Sequence, residues 1–152
     1  MTNFQTNNST SSSALFVRAI SNCEGDSPKL SDINLKHIAQ VKGFSNLEPN
    51  WDGYNANIPS DIAISKAIEH IFWLNRNNVT VFFSAPTRDG DILIEVKEGN
   101  ARVEFIFSAD VHDKVLLIHN EDVIVEYPYY NSNASSYIKW LICPNGDCPD
   151  FR

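Results

Sequence analysis

Five short β-rich segments between residues 79 and 127 constrain the fold of this chain more than any other feature of its sequence. They are rich in valine, isoleucine and phenylalanine, and only two to five residues separate one segment from the next. Connections of this length are typical of antiparallel hairpins. The sequence therefore predicts an antiparallel five-stranded meander, with strands at residues 79–85, 91–97, 101–108, 114–119 and 122–127.

Alternating side chains indicate that this sheet has one apolar face. In the third segment Val103, Phe105 and Phe107 share one side, whereas Glu104 points to the other. A helix packed on the apolar face would bury it. The helix predicted for residues 61–75 suits this role, because its apolar residues recur every three or four positions. They are Ile64, Ala67, Ile68, Ile71 and Phe72. The predicted fold class is α+β in two layers.

Two shorter helices are predicted to flank this unit. Ser31 is suited to cap a helix at residues 31–42, and Gly43 is suited to stop it. The apolar segment at residues 135–144 is predicted to be a short helix that ends at Pro144.

The N-terminal region divides into three stretches. Residues 1–13 consist almost wholly of Asn, Ser, Thr and Gln, a composition that predicts a disordered tail. Residues 14–20 form an apolar run that suits either an edge strand or a docked helical turn, and residues 21–29 suit a loop. One α+β domain is therefore expected over residues 14–152.

Charge and composition limit the classes of function. The formal net charge of −7 argues against a direct nucleic-acid binder, which would usually display a basic patch. Apolar runs are all much shorter than the roughly 20 residues of a membrane span, and the N-terminus does not resemble a secretory signal. A cytoplasmic protein without membrane contact is expected, with Cys23, Cys143 and Cys148 reduced.

The string NWDGYNA at residues 50–56 is the most distinctive motif. In a structural interpretation, Gly53 permits a turn with positive φ and Asp52 accepts hydrogen bonds from its own turn. Trp51 and Tyr54 would then pin the loop, and Trp51 should be largely buried. In a functional interpretation, Trp51 and Tyr54 are exposed anchors for a partner. Full exposure of either ring would favour the second interpretation.

The residues that commonly bind metals give only weak signals. Cys143 and Cys148 flank a turn, but no second Cys/His pair has the spacing of a zinc site. The segment ADVHDK at residues 109–114 could bind a cation, although a solvated turn has the same composition. His37 and His70 are expected at a helix surface or at the edge of the core. Neither a metal nor a cofactor is predicted.

Catalytic motifs are also weak. There is no nucleophile elbow and no phosphate-binding loop that follows a strand. Asp52, Glu95 and Glu104 could act as an acid and base pair if they lie close together. The alternative is that Glu95 and Glu104 form cross-strand ion pairs with Lys97 and Arg102.

Two motifs carry a resemblance to known proteins. L-x-P-N-W-D-G-Y-N-A-x-x-P-S-x-x-A-I-x-x-A at residues 47–67, and A-P-T-R-D-G-D-I-L-I-E-V at residues 85–96, resemble a widespread group of small bacterial and phage proteins. That group has an N-W-D-G-Y-G-A type of element before a helix and then a P-T-x-D-G-G hairpin. Here Asn55 stands where Gly is usual, Asp91 replaces the second hairpin Gly, and Val96 replaces a Trp. The resemblance implies a bacterial or phage accessory protein and an arrangement of elements, and not a reaction.

Three classes of function are consistent with these features. The favoured class is a non-catalytic inhibitor, antitoxin or immunity-type protein that blocks a protein partner, such as a basic nuclease or a nucleic-acid-binding complex. The second is a self-associating assembly subunit or homodimer that pairs through an exposed sheet edge, and the third is a carboxylate enzyme. The residues predicted to bind the partner are Trp51, Asp52, Tyr54, Asp89, Asp91, Glu95, Glu98 and Glu104.

Overall fold

The computed structural model describes residues 29–110 and 112–144. The elements in this part of the chain are helices α1 (Asp32–Gly43), α2 (Asp61–Arg76) and α3 (Ala134–Ile142), and strands β1 (Phe83–Pro86), β2 (Ile92–Glu98), β3 (Ala101–Phe107), β4 (Lys114–His119) and β5 (Asp122–Pro128). Short 3-10 helices at Phe44–Asn46 and Asn131–Asn133 follow α1 and precede α3. Of these helices, none has the length and apolar character needed to cross a membrane. The predictions made for residues 1–28, and for Cys148, lie outside the described residues.

The five strands form one antiparallel sheet in the order β1-β2-β3-β4-β5, which confirms the predicted meander and the α+β fold class. β4 has the predicted bounds, and β2, β3 and β5 differ from prediction by one residue at their ends. Pairing in the centre of the sheet aligns Ile94 with Phe105 and Val96 with Val103. All four side chains are fully buried, so they belong to the apolar face that the alternation predicts.

The first strand begins later in the chain than predicted. Residues 79–81 do not pair with β2, because a buried side chain takes their hydrogen bonds: Asn34 Nδ2 donates to the carbonyl of Val79 at 3.0 Å, and Asn34 Oδ1 accepts from the Val81 N–H at 2.9 Å. The first backbone bond to β2 runs from the Phe82 N–H to the carbonyl of Glu95 at 2.8 Å. A β-rich run therefore need not pair as a strand when a side chain takes its hydrogen bonds.

Serines cap the two longer helices, as predicted for Ser31. Ser31 Oγ accepts from the Asn34 N–H at 3.1 Å, and Ser60 Oγ accepts from the Ala63 N–H at 3.0 Å. Gly43 does not stop α1: it has helical φ of −63°, and a 3-10 turn continues from Phe44. The predicted C-terminal helix is present and ends at Ile142, two residues before Pro144.

All three helices share one hydrophobic core with the inner face of the sheet. The buried side of α2 differs from the predicted stripe, because Phe72 is 43% exposed, whereas Leu74 and His70 are buried. The prediction that His70 lies at a helix surface or core edge is wrong. It is only 4% exposed, because it completes the row of α2 positions that face the sheet.

His70 lies in a cluster of aromatic rings. Its ring centroid is 4.2 Å from that of Phe105 and 5.1 Å from that of Phe107. The Tyr129 hydroxyl lies within hydrogen-bond distance of His70 Nδ1, at 3.2 Å, and burial raises the pKa of this phenol. Burial lowers the pKa of His70 to about 3, so the imidazole is neutral in the folded protein at physiological pH.

The buried His70 predicts acid sensitivity. Its pKa is lower in the fold than the ordinary 6.5, so the unfolded chain gains a proton first as the pH falls, and stability is lost between about pH 6.5 and pH 3. At pH 4.5 the loss should be about 3 kcal/mol relative to pH 7. Urea unfolding of wild type and His70→Phe at both pH values measures this loss of stability, because the variant has no imidazole to protonate at position 70. An equal pH-dependent loss in both proteins would contradict the assignment.

Candidate partner-binding site

The NWDGYNA motif forms a closed loop, here called the corner loop (residues 50–57). Asn50 closes it, because its N–H donates to the carbonyl of Ala56 at 2.9 Å and its Oδ1 accepts from the Asn55 N–H at 2.6 Å. Gly53 has φ of +75° and Asn55 has φ of +65°. Asn is the residue that tolerates this region best after Gly, which explains why a residue with a side chain can occupy position 55.

Asp52 fixes the interior of the corner loop. Its Oδ1 accepts from the N–H groups of Tyr54 at 2.7 Å and Ala56 at 3.1 Å. Desolvation alone would raise the pKa of this carboxyl, but those two hydrogen bonds and the Arg88 guanidinium outweigh it, and the pKa is lowered. Asp52 therefore acts as a charged structural acceptor, as the structural interpretation predicts.

The corner loop packs against the turn between β1 and β2, here called the hairpin turn (residues 87–91). The Asn57 N–H donates to the carbonyl of Arg88 at 2.8 Å, and the Ser60 N–H donates to that of Gly90 at 3.3 Å. Gly90 has φ of +90°, and a Cβ built there would lie 2.9 Å from the carbonyl oxygen of Ile58. The segment before α2 and the hairpin turn thus meet as one unit, and a side chain at position 90 would not fit between them.

Arg88 joins the two loops through its side chain. Nε forms an ion pair with Asp52 Oδ2 at 3.0 Å, and Nη2 donates to the carbonyl of Tyr54 at 2.6 Å. The guanidinium carbon also lies 5.6 Å from the centroid of the Tyr54 ring, within the range of a cation–π contact. Tyr54 is nevertheless 73% exposed.

The two aromatic residues of the motif have different environments. Trp51 buries most of its surface, as expected, and its Nε1 donates to the carbonyl of Asn57 at 3.0 Å. Tyr54 does not pin the loop with a buried ring; the ring projects outward over Arg88. Trp51 therefore fits the structural interpretation, and Tyr54 fits that of a partner anchor.

Four carboxylates gather beside the corner loop. Asp89 is exposed in the hairpin turn, and partly buried Asp91 follows it. The pKa of Asp91 is raised, first by burial and then by the negative charges of Asp89, Asp110 and Asp113. The corner loop and these four carboxylates are called the acidic end of the molecule.

A lysine occupies the position that the sequence suggested for a cation. Lys66 Nζ donates to the carbonyls of Ser108 and Asp110 at 2.9 and 2.5 Å and to Asp113 Oδ1 at 3.0 Å. Asp110 in turn accepts from the His112 N–H and pairs with its ring at 2.8 Å, and His112 and Ser108 together lower the pKa of Asp110 to about 2. Ser108, Asp110 and Asp113 thus surround the ammonium group of Lys66 where a cation was suggested.

The remaining predicted acidic residues lie elsewhere. Glu95 and Glu104 face each other across β2 and β3, and Glu98 is at the opposite end of β2, roughly 20 Å from Asp91 along the strand. The eight predicted residues therefore do not form one contiguous surface. Trp51, Asp52, Tyr54, Asp89 and Asp91 come together, whereas Glu95, Glu98 and Glu104 do not join them.

The expected cross-strand ion pairs are absent from the described residues. Glu95 lies opposite Glu104 and Lys97 lies opposite Arg102, and Arg102 pairs instead with Glu121 at 3.2 Å. Burial raises the pKa of both carboxyls. Glu95 is only 6% exposed; Arg102 lowers its pKa, and repulsion from Glu104 cancels part of that lowering.

Sequence reasoning missed the site residues Arg88, Lys66, Asp110 and Asp113. Arg88 and the two aspartates stand in quoted motifs, but their partners are 34 to 47 residues away in the sequence, and no local pattern signals those contacts. The described residues contain no group of three or more metal-ligating side chains that could hold an ion, and Cys143 is exposed and free. Comparison of the chain with protein-family models, curated proteins and solved structures gave no match.

The close contact at Gly90 predicts a large cost for adding a methyl group. Gly90→Ala combines positive φ with a backbone overlap at Ile58, so it should lower the free energy of unfolding by about 2 kcal/mol or more. Gly99→Ala is the matched control, because Gly99 has φ of +56° but nothing within 4 Å of its Cβ position. Its cost should be nearer 1 kcal/mol. Chemical denaturation measures both, and equal costs would refute a special contact at Gly90.

The facing glutamates predict a stabilising substitution. Glu104→Gln removes one of two like charges directly opposite in the sheet, so it should raise the free energy of unfolding at pH 7 by about 0.2–1 kcal/mol. Folding raises the pKa of both carboxyls, so the ionised carboxylates destabilise the fold above the raised pKa. This destabilisation disappears below the ordinary pKa of 4.5. Glu98→Gln, opposite Ala101, is the control. A gain that persists at pH 3.5 would contradict this origin.

Proposed function

We propose that this protein acts by binding a basic protein partner through its acidic end, as an inhibitor, antitoxin or immunity-type protein. The observation that carries the proposal is the position of Tyr54: the ring is 73% exposed, yet its backbone and its face are held by Asp52 and Arg88. Exposed tyrosines with a fixed orientation are typical of the centres of protein interfaces.

A fixed loop reduces the entropy that binding would otherwise cost. Hydrogen bonds close the corner loop at Asn50 and Asp52 and attach it to the hairpin turn at Asn57. A partner that contacts Tyr54 therefore meets a surface that is already ordered, and most of the contact energy contributes to affinity.

The charge of the acidic end selects the partner. Asp89 follows Arg88, the residue against the Tyr54 ring, and Asp91 and Asp110 add negative charge nearby, whereas Lys66 neutralises Asp113. The net charge of −7 has the same sign, so it favours approach of a basic surface. A nuclease or nucleic-acid-binding complex presents such a surface in its nucleic-acid groove. The resemblance to bacterial and phage proteins is consistent with this role.

Substitutions at the acidic end should abolish partner capture. Immobilised wild type, Tyr54→Ala and Tyr130→Ala are exposed to lysate of the source organism; Tyr130 is the matched control, since it is 61% exposed outside the acidic end. Loss of a central anchor weakens binding by about 2 kcal/mol or more, roughly thirty-fold. The partner should thus be lost from Tyr54→Ala only.

A second pair of variants tests the charge. Asp89→Lys should release the partner at lower salt than wild type, whereas Glu98→Lys, at the far end of β2, should not. Recovery of the same proteins at the same salt by Tyr54→Ala and Asp89→Lys would refute this function.

Self-association is the second candidate, and the edge strand β5 favours it. In the described sheet β5 pairs only with β4, and Val123 and Ile124 on it are 57% and 48% exposed. Exposed apolar edges are places where strands of two chains can pair. Light scattering of the purified protein separates the candidates, because a monomer that captures a partner fits only the first.

A further inference from the structure

A cleft of about 370 Å³ lies beside α2, away from the exposed ring of Tyr54. It is bounded by α2, the end of β3 and the segment that follows β5. The buried rings of His70, Phe107 and Tyr129 line it, together with the partly exposed Trp73. Its volume falls within the range of small-molecule sites in proteins.

The lining of the cleft is suited to a flat ring. Trp73 and His70 are nearly parallel, with an interplanar angle of 17° and centroids 5.5 Å apart. Phe107 and Tyr129 meet edge to face at 89°. His70, Phe107 and Tyr129 are buried against one another, so Trp73 is the ring with open surface, and an aromatic ring packs more favourably against it than a saturated ring of the same size.

The charges around the cleft are not equivalent. Lys66 is occupied by the loop at residues 108–113, as described above. Arg76, at the last turn of α2, is exposed and forms no ion pair with another described residue, and neither does Glu69. Glu69 and Arg76 are two turns apart, roughly 10 Å along the helix. An anionic group would therefore be directed to the Arg76 end and repelled from the Glu69 end.

An unsatisfied polar atom gives a second indication of a ligand. His70 Nε2 is buried without a hydrogen-bond partner among the described residues, while Nδ1 is bonded to Tyr129. Buried polar groups without partners are uncommon in folded proteins, and an ordered water or a ligand can satisfy them. We propose that this cleft binds a small aromatic carboxylate, whose ring packs against the exposed part of Trp73 and whose carboxylate pairs with Arg76.

Three matched probes test the proposal: benzoate, cyclohexanecarboxylate and benzamide. The first keeps both features, the second lacks the aromatic ring, and the third lacks the charge. The readout is the indole N–H resonance of Trp73 in a ¹⁵N-labelled titration, assigned with Trp73→Phe. Benzoate should shift this resonance saturably and leave those of Trp51 and Trp140 unchanged. Cyclohexanecarboxylate should bind about two- to ten-fold more weakly and benzamide about two- to five-fold more weakly.

A substitution of Arg76 completes the test. Arg76→Gln should lower the affinity for benzoate about two- to five-fold and remove its advantage over benzamide. Lys97→Gln, which removes an exposed charge outside the cleft, should change neither. The proposal is overturned if benzoate gives no saturable shift at Trp73, if the three probes bind equally, or if Arg76→Gln retains the preference for benzoate. None of these outcomes depends on the acidic end.

Discussion

The contact between the corner loop and the hairpin turn determines how this molecule presents its acidic end. Two backbone hydrogen bonds, from Asn57 to Arg88 and from Ser60 to Gly90, join the approach to α2 with the turn that begins β2. The helix layer and the sheet are thereby tied at one end through main-chain atoms. The approach requires the absence of a side chain at Gly90, so a single residue type permits the whole arrangement.

The elements of the fold could be predicted because their signals are local. Serine caps at Ser31 and Ser60, alternation in β3, and short connections between strands all act within a few residues. The start of β1 could not be predicted in this way, since Asn34, which is more than 40 residues away, takes the hydrogen bonds of residues 79–81. The burial of His70 was not predicted for a related reason. Its position on the helix decides its burial, but a pattern of apolar residues at helical spacing does not count a histidine.

The candidate site was only partly predictable. The corner loop stands out in the sequence, and the acceptor role of Asp52 follows from turn chemistry. The ion pair of Asp52 with Arg88 is set by tertiary packing. Charge counting alone also grouped Glu95, Glu98 and Glu104 with the aspartates, although the sheet separates them. The pairing of Glu95 with Glu104 was accessible in principle, because a two-residue turn at Gly99 and Asn100 fixes the register of β2 and β3.

Lys66 links the two surfaces that the proposals concern. Its ammonium holds the loop that carries Asp110 and Asp113, and its side chain also lines the cleft beside α2. Any substitution of Lys66 would unpair the Asp113 carboxylate, remove a donor from the carbonyl of Asp110 and reshape one wall of the cleft together, so it could not separate partner binding from ligand binding. Arg76 and Tyr54 each belong to one surface only. The two proposed activities can therefore be tested separately at those residues, whereas Lys66 and Asp113 belong to both surfaces.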